Sequence, residues 1–429
     1  MARVTMFVLN DCRSDTRVLR EAAALTAAGH AVSIMARPTD PLATTGDGES
    51  RDGFRIIRVP IPGRLRRAGL ARAAPAGASV GSPACRRGVS VPLAGPAVDG
   101  LAWLVRWRLG VEAWCSAAAA AAPPADVWHA HDLNTLPAAD RAARARGGAV
   151  VYDSHEVFLE AGANARRPAW ARRVLAGRER RMARRAARII TVNDEIADLF
   201  AARWQVARPT VVMNCSPAWT PPQPPPDRLR EAVGLAAGTP LVLYHGALLA
   251  DRGLPQTIDA LARPELAGVH LVLLGDGPLA PRLRDLAATP SVAGRVHLLP
   301  PVPPDALPPW VASADVGVMA NQPSNANERL STPNKLFEAL AAGLPVVSSD
   351  FPARRHILLD DPLGPLGAVC DPTDPAALAG ALAGVLGLDA SARAALRQRV
   401  LEAAHTRYTW DRQAANLVGV YAGLTGRAA

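Results

Sequence analysis

Short apolar runs alternate with helical stretches twice along this 429-residue chain, and a proline-dense run separates the two series. In the first series, the runs at 4–9, 32–36, 127–129, 149–152 and 188–192 read as buried strands, and 17–28 reads as a helix closed by Gly29. In the second, strands are expected at 241–245, 271–274, 296–299, 316–320 and 346–348. Helices are expected between and after them at 254–261, 279–288, 305–312, 333–342, 375–386 and from 392 onward. Alternation of this kind implies a parallel sheet with helices on both faces, which binds ligands at the carboxyl ends of its strands. Proline fills six of the ten positions 217–226, and a segment so rich in proline continues neither a helix nor a central strand. The fold class expected is therefore α/β, with two doubly wound Rossmann-like domains facing across a cleft. The expected division is an acceptor-side domain at 1–213, a linker at 214–227, a second domain at 228–400, and a helical segment at 401–429 that packs back on the first domain. Residues 61–100 have no clear period and read as a long loop. Residues 101–114 read as a helix with Trp103, Trp107 and Trp114 near one face.

Hydrophobic residues make up 49% of the chain and charged residues 20%, a globular rather than a disordered composition. The net charge is +10, and Lys335 is the only lysine. Such a drift toward arginine weakens any reading of basic patches as nucleic-acid binding, and no nucleic-acid partner is expected. It also makes Lys335 conspicuous. Cys12, Cys85, Cys115, Cys215 and Cys370 are scattered and odd in number, which fits a reducing compartment. The N-terminus opens directly on a strand-like run and no apolar run reaches membrane-span length, so a cytoplasmic location without a signal peptide is expected. Residues 166–188 hold ten arginines and one acid, Glu179. That helix could dock on an anionic inner-membrane face, although a solvated face in an arginine-biased chain is the slightly favoured reading.

The most informative stretch runs S-T-P-N-K-L-F-E-A-L-A-A-G-L-P-V-V from Ser331. Ser331 or Thr332 can cap a helix there, Pro333 suits its first position, and Gly343 closes it. The opening turn of such a helix attracts phosphate through free N–H groups and the positive end of the dipole. A lysine in that turn is locally unfavourable unless an anion joins it. Glu338, one turn further in, could accept hydrogen bonds from a ribose diol.

This stretch resembles the donor-site helix of the family 4 glycosyltransferases, retaining enzymes of the GT-B fold, in a branch with an S-x-P-N-K-L-F-E form. The resemblance extends over almost the whole chain. It implies that Glu338 binds the donor ribose, and that Asn334, Lys335, Ser331 and Thr332 lie at the diphosphate. Relatives carry another glutamate eight positions earlier. Leu330 stands there here, and Glu328 is the nearest candidate substitute. The strand-to-helix turn Y-H-G-A-L-L-A-D-R-G-L from Tyr244 is similar to the family's phosphate loop, with Gly246 at the donor and Arg252 as the diphosphate ligand. The family's active-site histidine implies a sugar contact for His131.

In the first domain, W-H-A-H-D (128–132) and Y-D-S-H-E (152–156) place polar clusters at the ends of neighbouring strands. Asp132, His155 and Glu156 are candidate acceptor contacts, and His129 is read as structural. Asp15 is a further acceptor candidate and equally a helix cap. His129 and His131 are expected on opposite faces of their strand, unable to share one ion, and no metal is expected. The first loop lacks a G-x-G-x-x-G pattern, which argues against a dehydrogenase. The function expected is retaining transfer of a sugar from a nucleotide-diphosphate donor to an unknown hydroxyl acceptor, with no cofactor. His131, Lys335 and Arg252 would be the catalytic groups. A nucleotide-sugar epimerase of the same fold and a catalytically silent partner subunit are the alternatives.

Overall fold

The computed structural model describes residues 1–40, 48–62 and 96–425. Most of the expected 61–100 loop lies outside the described residues. The chain forms two compact units, Met1–Val212 with Ala414–Ala429, and Met213–Gln413.

The first unit is built on an eight-stranded sheet in the order β3-β4-β2-β1-β5-β6-β7-β8. Its strands are β1 (Arg3–Phe7), β2 (Ala31–Ala36), β3 (Glu49–Arg51), β4 (Phe54–Arg58), β5 (Val127–His131), β6 (Ala149–Ser154), β7 (Arg188–Thr191) and β8 (Thr210–Val211). All pairings are parallel except β3 with β4. The central strands are buried on both faces, which is why they read as near-continuous apolar runs. β4 breaks that signature because Arg55 and Arg58 interrupt Phe54, Ile56 and Ile57. Residues 101–114 are helical as expected, within Pro96–Arg106, a wider π-type turn Trp107–Glu112, and Ala113–Ala121. Trp103, Trp107 and Trp114 are all buried.

The second unit carries a six-stranded sheet, all parallel, in the order β11-β10-β9-β12-β13-β14. The strands are β9 (Leu241–His245), β10 (His270–Leu274), β11 (Val296–Leu299), β12 (Val316–Met319), β13 (Val346–Ser349) and β14 (Gly367–Cys370). Residues 401–413 belong to this unit, so the return to the first unit begins later than residue 401. The reason is packing: Leu396, Val400, Ala403 and Ala404 of the Ala390–Thr406 helix are buried in the second unit's core. Cys215, inside the expected linker, is buried in that same core. Among the described residues, Cys12, Cys115, Cys215 and Cys370 are free and buried.

Candidate donor and acceptor sites

The Asn334–Ala341 helix begins one residue later than expected. Pro333 stands at the cap position with extended dihedrals (φ −69°, ψ 144°), and no side chain caps the helix. Neither Ser331 nor Thr332 serves as cap, because the chain is extended from the end of the short Ala326–Leu330 helix through Pro333. Leu336, Phe337 and Leu340 are fully buried and fix the helix against the sheet, each worth about 1.5–3 kcal/mol of apolar burial. The polar face carries Lys335 and Glu338.

β9 ends beside that face. His245 Nε2 lies 2.9 Å from Glu338 Oε2. The Lys335 ammonium stands 3.9 Å from the centroid of the Tyr244 ring, a cation–π arrangement. Gly246, at φ 113°, leaves room for it, since a Cβ there would come within 3.1 Å of Lys335 Nζ. Burial first, and then the nearby Arg252, hold the pKa of Lys335 well below its ordinary value. A lysine so depressed recovers its charge when an anion arrives.

Arg252 does not stand free for phosphate. Its Nη1 donates to both carboxylate oxygens of Glu328 at 3.1 and 3.2 Å, and Asn321 Nδ2 donates to Glu328 Oε2 at 2.9 Å. Sequence reading placed Arg252 and Glu328 in the site separately and missed that each occupies the other. The wholly buried Arg354 donates to the carbonyls of Glu328 and Ser331 at 3.2 and 3.3 Å, fixing the extended approach to the helix. Its pKa is lowered to about 10 by burial, and its Nη1 has no hydrogen-bond partner. Asn334 accepts from Asn214 Nδ2 at 2.8 Å.

One backbone feature holds this loop. Gly253 has φ 68°, and a Cβ on it would stand 1.9 Å from the carbonyl oxygen of Ala320. Gly253→Ala is therefore expected to destabilise the second unit by about 2–3 kcal/mol or more, from left-handed strain plus backbone displacement. Loss of urea resistance in the purified variant measures it, and an unchanged midpoint would refute the packing argument.

In the first unit, β5 and β6 are paired so that His131 lies beside Asp153. Residues two apart in a strand share a face, so His129 and His131 are neighbours and not opposed, which corrects the sequence expectation. Their rings stack with centroids 4.4 Å apart. The carboxylate of Asp153 accepts from Arg17 Nε and Nη2 at 3.1 and 2.9 Å, and lies 3.0 Å from His155 Nε2. Arg17 Nε is also 3.0 Å from Glu21 Oε1. His131 Nδ1 is 3.2 Å from His155 Nε2, and Asp132 Oδ1 accepts from the His155 amide at 2.8 Å. Tyr421, from the Trp410–Thr425 helix, closes the group with its hydroxyl 2.6 Å from His129 Nδ1.

These contacts divide the charge. Burial raises the Asp153 pKa, but Arg17 and His155 outweigh it and hold it well below the carboxylate range. Burial, and then Asp153, push Glu21 well above that range. Burial lowers His155, but Asp132 and Asp153 override it and leave a pKa of about 9. Burial and the adjacent His129 keep His131 neutral, with its Nε2 buried and without a hydrogen-bond partner. Glu21, His129, His131 and Asp153 present ligand atoms within 4.8 Å of one another, a spacing able to hold a metal ion. Arg17 already stands as a cation beside both Glu21 and the Asp153 carboxylate, at 3.0 and 2.9 Å. Asp15 caps the Thr16–Ala27 helix, accepting from the Val18 amide and from Asn10 Nδ2. Glu156 follows β6, its carbonyl accepting from Ser154 Oγ at 3.0 Å.

Two family models match this chain. The glycosyl transferase 4-like domain matches residues 14–216, and the glycosyl transferases group 1 model matches residues 239–387. Both halves of the chain thus resemble the corresponding domains of the group 1, 4-like glycosyltransferases. It is 34% identical over 267 residues to a D-inositol 3-phosphate glycosyltransferase of Xylanimonas cellulosilytica, covering 58% of this chain and 60% of that protein. It is 33% identical to the lipopolysaccharide core biosynthesis glycosyltransferase LpsE of Rhizobium meliloti, over 40% of this chain and 46% of that one. The chain thus spans about half the length of the curated relatives it matches. Among solved structures, sucrose-phosphate synthase from Thermosynechococcus elongatus superposes with a TM-score of 0.74 at 18% identity, covering 100% of both chains. HepE of Anabaena, in complex with UDP and glucose, gives 0.65 at 14% identity, covering 99% of this chain and 100% of that one. At those identities the likeness establishes the GT-B fold.

Proposed function

We propose that this protein moves a glycosyl group from a nucleoside-diphosphate sugar to an acceptor hydroxyl, with retention at the anomeric carbon and without a metal ion. The observation that carries the reading is the juxtaposition of Glu338, anchored by His245, with a charge-depressed lysine on the opening turn of an uncapped helix. In this reading, the diphosphate rests at that turn against Lys335, with Ser331, Thr332, Asn334 and Gly246 around it. Glu338 accepts from the ribose hydroxyls. Glu328 serves the donor sugar, and Arg252 turns toward phosphate when the donor displaces its partner. His131 stands on the side of the reacting sugar, while Asp15, Asp132, His155 and Glu156 serve the acceptor. The anomeric C–O bond breaks toward the diphosphate, the acceptor oxygen bonds to that carbon, and the hydroxyl proton leaves with the phosphate. HepE is described with UDP, and a starch synthase IV of the same fold with ADP and acarbose, which supports a nucleotide donor.

Thermal unfolding against UDP, GDP and ADP tests the reading. One of them at a hundred times its dissociation constant is expected to stabilise the protein by about 2.7 kcal/mol. Glu338→Gln is expected to weaken that nucleotide by about 10- to 100-fold, the range for losing charged hydrogen bonds. No stabilisation by any nucleoside diphosphate, or full affinity in Glu338→Gln, would remove the reading. Steady formation of an epimer from donor alone would replace transfer with epimerisation.

A further inference from the structure

Among the described residues, the exposed large apolar side chains away from the N-terminal Met1 are Val98, Leu101, Val105, Trp170 and Val174. All stand on two helices that pack against each other, Pro96–Arg106 and Ala169–Ala183. Trp170 lies directly on Gly100, where a Cβ would come within 2.4 Å of the indole. Val98, Leu101 and Val105 follow i, i+3, i+7 spacing and form one stripe, while Gly100 and Trp103 face inward. Trp170 and Val174 form the matching i, i+4 pair, while Ala171, Leu175 and Met182 face inward. Each helix therefore exposes large apolar side chains on its outer face in addition to those it buries.

Arginines accompany that face. Arg108, Arg166, Arg173, Arg181 and Arg184 are exposed, and none joins an ion pair among the described residues. Neighbouring Arg178 and Arg185 are committed to Glu112 and Asp140. A second copy of this chain would bring two such arginine sets together, at a repulsive cost. An anionic lipid surface meets both the apolar and the cationic demand, and tryptophan favours the headgroup level.

We propose that this two-helix face docks the protein on an anionic phospholipid bilayer, its apolar side chains entering the headgroup region and its arginines holding lipid phosphates. The proposal is independent of the donor chemistry above. Co-sedimentation of the full chain with phosphatidylcholine vesicles, alone or mixed with phosphatidylglycerol, tests it. Binding is expected to the mixed vesicles and to fall with salt. Arg173→Gln and Arg181→Gln should each lower the partition coefficient about fivefold. Leu101→Gln with Val174→Gln should lower it roughly tenfold or more, with unchanged thermal unfolding because both side chains are exposed. Equal binding to neutral vesicles, no binding to either, or full binding by the variants would overturn it. So would a dimer in sedimentation that Leu101→Gln dissolves, which would assign the face to a second copy. Binding only after deletion of residues 63–95 would assign it to that segment.

Discussion

Lys335→Met is expected to lower kcat by about 10²–10³-fold, the range for removing one group that stabilises charge developing in a transition state, while making the unliganded protein more stable. The two effects share one cause. The ammonium is half-buried over Tyr244, with Arg252 nearby and the positive end of a helix dipole beneath it. In the free protein burial, Arg252 and the dipole oppose its charge, and together they outweigh the attraction of the Tyr244 ring. Its folded pKa lies below the unfolded value, so the free protein loses stability as pH falls through that folded pKa, and methionine abolishes the loss. In the proposed reaction a bound diphosphate would make the same charge favourable, and more so as the glycosyl bond breaks. Nucleoside-diphosphate binding is therefore expected to take up a proton and to weaken as pH rises. Calorimetry in two buffers of different ionisation enthalpy, beside single-turnover rates, measures both effects. A variant that lost stability together with activity would make Lys335 a structural residue.

Arg17→Met is expected to destabilise the first unit by about 3–5 kcal/mol, the range for breaking a buried ion pair from one side. Arg17, Glu21 and Asp153 are all buried, and the guanidinium also donates to the Val212 carbonyl at 2.8 Å. Without it, the Asp153 carboxylate keeps the histidines and the side chain of Glu21 beside it but no permanent cation. Urea unfolding should show the loss, and a difference below about 1 kcal/mol would put the pair in the range of surface bridges. The same network sets a pH limit. His155 is raised to about 9 from an ordinary 6.5, so its contribution is complete below about 6.5 and is lost as pH rises through 9. His155→Gln should remove that part of the alkaline fall in stability.

Much of the donor helix was legible because helix signals are local. Pro333, the apolar spacing of Leu336, Phe337 and Leu340, and Gly343 lie within one short stretch, and the boundary error was a single residue at each end. The strands of the second unit were legible for a similar reason, since burial on both faces leaves unbroken apolar runs. β14 was missed because Gly367, Ala368 and Cys370 are too small to register as a strand pattern. His245 was present in the quoted turn, but nothing local says that it faces Glu338, 93 residues away. The separation of His129 from His131 was a geometric error, since alternation in a strand already puts both on one face.

The sequence by itself determined two α/β units, the family they resemble, and a lysine–glutamate pair on one helix, because periodicity, capping and motif spacing act over a few residues. Only the tertiary structure decided the pairing of charges. Arg17 with Asp153, Arg252 with Glu328, and Tyr421 with His129 join residues 136, 76 and 292 positions apart. Such partners are set by which strand ends the parallel sheets bring side by side. The resulting pKa shifts depend on burial, which only packing creates.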